Sequence, residues 1–325
     1  MEVRLLKSII MKLKSVIKTL SIFMTTILTL CIFFTGCSKS KHANSLKIEV
    51  PKPKYTKIGY DVKTYVDGDN VKVTYAILGF EDDEIVHIYI DQIEKTLGEE
   101  KSLRTNRELG NAYGLAYTSD FGEWYVQVDA LKNYIVGNHL TAEELDSIET
   151  YKKDDKNPSL PAMNSDIAAA CELNIGDFLD VIKNAANNTY EVEAMHIGVG
   201  EEIRIYNDSE QMKVDFAFIA TDYNGNICFS KLESLKIEKE NSKISSLKEA
   251  SASDPETYSL KNKIAAFEDY MIGRTIGEVC AAEVYDPGDG INSALPKKGT
   301  DLAKICNTDL YHYIKVVSES GGRLG

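Results

Sequence analysis

Few residues in this chain combine the type and the spacing that chemistry requires. The densest group lies between Tyr113 and Gln127, where Tyr113, Tyr117, Trp124 and Tyr125 supply aromatic surface and Gln127 a single amide. Aromatic faces beside one amide can stack a planar ring and fix its edge, so these five residues are candidates for a ligand wall. Trp124, Val128 and Leu131 also stand at i, i+4 and i+7. That is the pattern of a helix face turned to a core, and this second reading carries more weight. Four cysteines beyond Cys37 (Cys171, Cys228, Cys280 and Cys306) match no CxxC pattern, and His87, His139, His196 and His312 share no ligand spacing. The acidic runs Glu81–Glu84 and Glu143, Glu144 with Asp146 lack the alternating oxygen ligands and the glycine of an EF-hand loop. They read as a solvated turn and a solvated helix face. A Gly-rich phosphate loop, a nucleophile elbow, an HExxH pair and a paired-carboxylate motif are all missing from the sequence, so no catalytic role is expected.

The elements that must carry these residues occur twice. Val71–Ile77 reads against Met212–Phe218 at an offset of 141, both as alternating strands. Each continues through a polar turn into a second strand, Ile85–Ile90 or Ile227–Leu232. The turn of the second copy holds Asn224-Gly225, a pair that tolerates positive φ and favours a hairpin. Ala130–Gly137 matches Ala266–Gly273 at an offset of 136, each like the end of an amphipathic helix stopped by a left-handed glycine. Asp166–Cys171 matches Asp301–Cys306 at 135 and leads into Phe178–Ile182 and Tyr313–Val317, the apolar face of a terminal helix. Two copies result, 55–188 and 197–320, with their seam at Asn187-Asn188-Thr189 and the residues just after it. Each predicts antiparallel strands, a helix, a short second helix (Thr141–Thr150 in the first copy) and a final helix. The expected fold class is α+β: two tandem copies of a small antiparallel sheet packed with helices. Cys171 and Cys306 hold the same slot. That suits a small buried residue in each core and makes a disulfide between them geometrically awkward.

The 325 residues carry 37 basic and 50 acidic side chains, with 43% apolar and 27% charged residues, the composition of a globular chain of about two domains. Residues 1–36 hold five of the bases and one acid, so the remainder has 32 against 49, a net −17. A chain this acidic gains nothing from counterion release, and nucleic acid is not an expected partner. The same stretch reads as a signal peptide: Lys7–Lys18 is basic, and Leu20–Phe34 is an apolar run of fifteen residues. Spanning ~30 Å of hydrocarbon takes about 20 helical residues, so that run is too short to cross. Translation from Met11 gives a tidier signal than translation from Met1.

The run ends in Phe34-Thr35-Gly36-Cys37, which resembles the bacterial lipobox. The resemblance implies cleavage before Cys37 and a diacylglycerol on its thiol, with acyl chains such as palmitate. Two acyl chains suffice for stable anchoring. The mature chain is therefore expected to be extracellular, lipid-anchored to the outer face of the cytoplasmic membrane through Cys37. Residues 37–54, rich in Ser, Lys and Asn with Pro51 and Pro53, read as its tether.

The first copy also contains Thr105–Leu115 (TNRELGNAYGL), Gly122–Gln127 (GEWYVQ), Tyr134–Gly137, and then Asp166-Ile167 and Ile175–Phe178. This combination resembles the tandem-repeat surface lipoproteins of Gram-positive Firmicutes that belong to the wider FMN-binding domain family, some of them called pheromone-precursor lipoproteins. It covers nearly all of the first copy and the second, degenerate copy more loosely. The resemblance implies FMN-binding-like domains. In some members FMN is held by a phosphoester to the Thr of a Ser/Thr-Gly-Ala-Thr motif, and electrons pass outside the membrane. Here Ala162–Asp166 and Lys297–Asp301 stand in place of that motif, with Gly299-Thr300 its nearest approach. No covalent flavin is therefore expected on Ser165 or Thr300, where helix capping explains the residues. The leading expectation is no cofactor, with a noncovalent FMN near Trp124 as the other option. Two functions remain open: a non-catalytic module that binds a small molecule or a surface protein, which is preferred, and a flavin carrier in extracellular electron transfer.

Overall fold

The strands at 70–81 and 211–221 are buried on both faces over most of their length, and that burial determines the architecture. The computed structural model describes residues 51–98, 103–206, 210–239 and 243–325. Three long strands open each copy: β1 (Tyr55–Asp67), β2 (Asn70–Glu81) and β3 (Glu84–Thr96), then β7 (His196–Tyr206), β8 (Gln211–Thr221) and β9 (Ile227–Glu238). All neighbours within them are antiparallel. Helices α1 (Asn106–Leu109), α2 (Trp124–Gly137) and α3 (Gly176–Asn187) follow in the first copy, with the two-residue strands β4 (Thr150–Tyr151) and β5 (Leu160–Pro161) between α2 and α3. Strand β6 (Thr189–Ala194) links the copies. After β9 come β10 (Lys243–Ser246), α4 (Pro255–Met271), α5 (Ile276–Cys280), β11 (Val284–Tyr285), β12 (Leu295–Pro296), α6 (Asp301–Ile305) and α7 (Tyr311–Gly321). The fold is α+β, and the second copy repeats the order of the first.

The two four-stranded sheets run β3-β2-β1-β6 and β10-β9-β8-β7. Along β2, Val73, Tyr75 and Ile77 join a core with Val214, Phe216 and Phe218 of β8, while Ala76 and Leu78 point the other way into the helices of their own copy. The sheets thus stack face to face, with α2 and α3 outside one and α4 and α7 outside the other. Burial on both faces replaces the usual polar side of an antiparallel sheet. The copies share their central core, and residues 50–325 form one compact unit.

Registers make the repeat explicit. Gly59 pairs with Leu78 as Gly198 pairs with Ile219, and a bulge interrupts each sheet one residue further on, at Gly79/Phe80 and at Ala220/Thr221. A Cβ on Gly59 would overlap the Ala185 carbonyl of α3, and one on Gly198 the Ser320 carbonyl of α7. Each terminal helix lies directly on a glycine of the first strand of its copy. The seam is itself structural: Thr189 to Ala194 pair with β1 as the fourth strand of the first sheet.

Several local expectations are corrected. The left-handed stop occurs at Gly273 (φ 81) but not at Gly137. In the first copy His139 (φ 53) takes that conformation, and the Asn138 side chain caps the Tyr134 carbonyl. The short helix expected over Thr141–Thr150 is a single 3-10 turn, Glu144–Ser147. Asp166–Cys171 is a series of turns, whereas its counterpart forms α6.

Candidate functional site

The five aromatic and amide candidates do not converge on one surface. Trp124 opens α2 at 2% exposure and packs edge-on to Phe178 (5.8 Å) and obliquely to Tyr113 (6.3 Å), so it is core. Gln127 is fully buried, and both ends of its amide are engaged. Its Nε2 donates to Ser119 Oγ (2.9 Å) and the Gly122 carbonyl (3.1 Å), and its Oε1 accepts from Glu172 N (3.0 Å). It ties the 114–122 loop to the turns before α3. Tyr117 is 89% exposed, and the Tyr125 hydroxyl donates to Asn111 Oδ1 at 3.3 Å. Tyr113 differs. Its hydroxyl donates to Glu94 Oε2 (3.0 Å), and its ring borders a cleft of about 500 Å3.

That cleft lies where β1, β2 and β3 end, with Tyr65 from β1, Lys72 from β2 and Glu94 from β3 along its sides. Its outer wall is the 105–113 segment, contributing Asn106, Leu109 and Tyr113. The wall folds as it does because Thr105 and Glu108 form a reciprocal capping box: Glu108 N donates to Thr105 Oγ1 (3.1 Å) and Thr105 N to Glu108 Oε2 (3.0 Å). Gly110, at φ 51, then ends the turn of helix. Past Tyr65 and Lys72 the cleft continues into a second cavity of about 460 Å3 that reaches Ser159 and the first turn of α3. Among the described residues, the lining of the first cavity contains no Cys, Ser or His. Phenol rings, lysines and carboxylates there can stack on and pair with a ligand.

Asp91 anchors the wall, and sequence reasoning missed it. This carboxylate is fully buried; its Oδ1 accepts from Gln92 N (2.7 Å) and Arg107 N (3.0 Å), and Tyr75 Oη lies 3.5 Å from its Oδ2. Burial pushes it up to about 6 against those hydrogen bonds. Glu233 does the same work in the second copy, accepting from Ser234 N (2.9 Å), Leu247 N (2.7 Å) and Lys248 N (2.9 Å), with burial pushing it up to about 7. Tyr75 pairs with Asp91 as Phe216 pairs with Glu233. An acid at one register of both third strands, amid apolar neighbours, was the available signal.

In the second copy the equivalents of Tyr65 and of the first turn of α3, which border the second cavity, belong to a charge cluster. Arg204 binds Asp215, and its Nε lies 3.7 Å from Glu202. Glu202 also meets His312 Nδ1 (2.6 Å) and Lys315 Nζ (2.8 Å). Burial, then Arg204, hold His312 below the usual imidazole range. Glu202, Asp215 and His312 come close enough together to suggest a metal centre. Arg204 and Lys315 already neutralise both carboxylates, so the cluster is an ion-pair network. Its first-copy counterpart has the opposite polarity: Lys63 contacts Asp177 (3.3 Å) and Asp180 (2.5 Å) of α3.

The remaining reactive groups have structural partners or settings. Thr300 Oγ1 donates to the Lys297 carbonyl (2.8 Å) and accepts from Ala303 N (3.2 Å), capping α6, and Ser165 Oγ accepts from Ala168 N (3.2 Å). Cys171 and Cys306 are buried in the outer cores of their copies, Cys228 is half-buried and Cys280 exposed, all with free thiols. Cys37 and the apolar run before it lie outside the described residues. Comparison with protein-family models, with curated proteins and with solved structures finds no match for this chain.

Proposed function

We propose that this chain is a non-catalytic binding module, held at the outer face of the cytoplasmic membrane by a diacylated Cys37. The anchor reading rests on Thr35-Gly36-Cys37 after an apolar run of signal-peptide length. The binding reading rests on one observation: a cleft of about 500 Å3 with Tyr65 and Tyr113 beside lysines and carboxylates. Such a lining suits a small molecule, or the projecting side chain of a surface protein, with both an apolar face and charge. The resemblance to FMN-binding lipoproteins keeps a flavin among the candidates. A noncovalent flavin would stack in this cleft and not on Trp124, whose ring is enclosed by Tyr113 and Phe178.

Tyr65 is 56% exposed and borders both cavities, which makes it the place for a test. A photo-reactive phenylalanine at position 65, on protein anchored to its own cells, should cross-link to a surface partner. If the ligand is small, native mass spectrometry of the extracted protein should show an adduct that is lost in Tyr65→Ala. A flavin spectrum on that adduct would promote the electron-carrier function. The absence of both a cross-link and an adduct would overturn the binding reading.

A further inference from the structure

The wall of the cleft is held from both copies. Glu108, which caps α1 through its Oε2, receives Arg323 Nη2 on its Oε1 at 2.8 Å. Arg323 follows α7 in the second copy, and its other nitrogen binds Glu201 of β7. The Glu201 side chain is 2% exposed, and its Oε2 has no hydrogen-bond partner. Asp91 faces the same spot from β3 and holds the backbone of Arg107 next to Glu108. One end of the sandwich therefore gathers two carboxylates, Glu201 and Glu108, around one shared guanidinium, with Asp91 beside Glu201 at the back of the cleft wall.

We propose that Asp91, Glu201 and Arg323 form a proton-sensitive clamp through which the second copy sets the cleft wall at 105–113 on the first. Its consequence for ligand rests on the cleft being the binding site; the clamp itself does not. The groups facing it are Tyr75 of β2, Tyr89 of β3, Arg107 and Glu108 of α1, Glu319 of α7, and Arg323 beyond α7. Arg107 is turned partly away, bonded to Asp129 of α2 at 3.0 Å. For Glu201, burial outweighs Arg323 and raises it to about 7, with Asp91 adding to the rise. For Asp91, burial outweighs its donors and raises it to about 6.

The direction of the response follows from linkage. An open wall admits water to both acids and returns them toward ordinary carboxylate values. The closed wall therefore holds a proton more tightly than the open one, and protonation favours closure. The contribution of the two acids to the closed wall is complete below ordinary carboxylate values, declines as pH rises above them, and is lost once pH passes the folded values of about 6 and about 7. Loss of the protons leaves Glu201 and Glu108 sharing Arg323, with a charged Asp91 repelling Glu201.

The chain has one tryptophan, and Trp124 lies 6.3 Å from Tyr113 on the wall, so the protein carries its own reporter. Acrylamide quenching of Trp124 in the full folded chain should rise about twofold between roughly pH 5 and roughly pH 8. Glu201→Gln keeps a partner for Arg323 without the charge, and should flatten the upper part of that profile. Asp91→Asn should flatten the lower part. Arg323→Met should move the midpoint to higher pH, since the guanidinium is what favours ionised Glu201. Should a variant not fold, amide exchange of the wild-type protein provides a second measurement. Corrected for intrinsic rate, protection at 105–113 should fall over that range while protection of β2 holds. A flat wild-type profile, or an unchanged profile in Glu201→Gln, overturns the clamp. Both readouts work without ligand, so a failed clamp and a failed cleft give different results.

Discussion

Phe216 is the place to ask whether two copies that share a core also share a fate. Its ring is fully buried in β8 of the second copy, with Tyr75 of the first copy 4.7 Å away and Phe218 at 5.9 Å. An aromatic side chain buries roughly 150–250 Å2, and each Å2 of apolar area is worth about 25 cal/mol. Phe216→Ala should therefore cost about 4 kcal/mol, within the range of about 3–5 found for such truncations in packed cores. For a unit of this size that lowers Tm by roughly 8–16 °C. The assay uses the position of Trp124, which sits in the other copy, against α3. In denaturant titrations, Trp124 fluorescence and far-UV circular dichroism should shift together to the same lower midpoint. If circular dichroism shows an early transition while the Trp124 midpoint stays put, the copies unfold separately. The shared core would then not couple them.

Gly59→Ala places a Cβ on the Ala185 carbonyl and should cost about 1–3 kcal/mol in denaturation. Gly137→Ala, at the last residue of α2 with open space around it, should gain about 0.5–1 kcal/mol, and a loss there would contradict the backbone described. Cys37→Ser should move the protein from the membrane fraction to the medium or to an unprocessed precursor; an unchanged membrane fraction refutes the anchor. Thr300→Ala removes the cap of α6 and should cost about 1 kcal/mol. Protein made beside a flavin transferase should show no FMN in its intact mass, and an FMN mass that disappears with Thr300→Ala or Ser165→Ala refutes the capping assignment.

The strands and the repeat were legible because matched blocks keep both alternation and offset. Val71–Ile77 and Met212–Phe218 fall in β2 and β8, at equivalent registers. The stacking of the sheets was not legible. Alternation separates the two faces of a strand, but Tyr75 and Ala76 are both apolar, and no local pattern says that one face meets a second copy. The helical spacing of Trp124, Val128 and Leu131 was a sound guide to the core. Tyr113 could not be told apart from its aromatic neighbours, because its place at the cleft depends on Asp91 and Glu94, contacts distant in sequence, although the local Thr105–Glu108 capping box was a readable signal. Asp91 itself passed as one more charge. A buried carboxylate differs from a solvated one only through the backbone donors that gather around it.

The opposite polarity of the two strand-to-helix ties bears on how a duplicated chain avoids misassembly. If α3 settled on β7 during folding, Asp177 and Asp180 would meet Glu202; if α7 settled on β1, Lys315 would meet Lys63. Both exchanges bring like charges together at a partly enclosed contact, while each correct pairing is attractive. Near-identical neighbouring repeats are prone to trade segments. Here five charged positions mark which helix belongs to which sheet, before any side chain has packed. Reversing the charge at Lys63 alone would erase that mark, and trapped, mispaired chains should then appear on refolding.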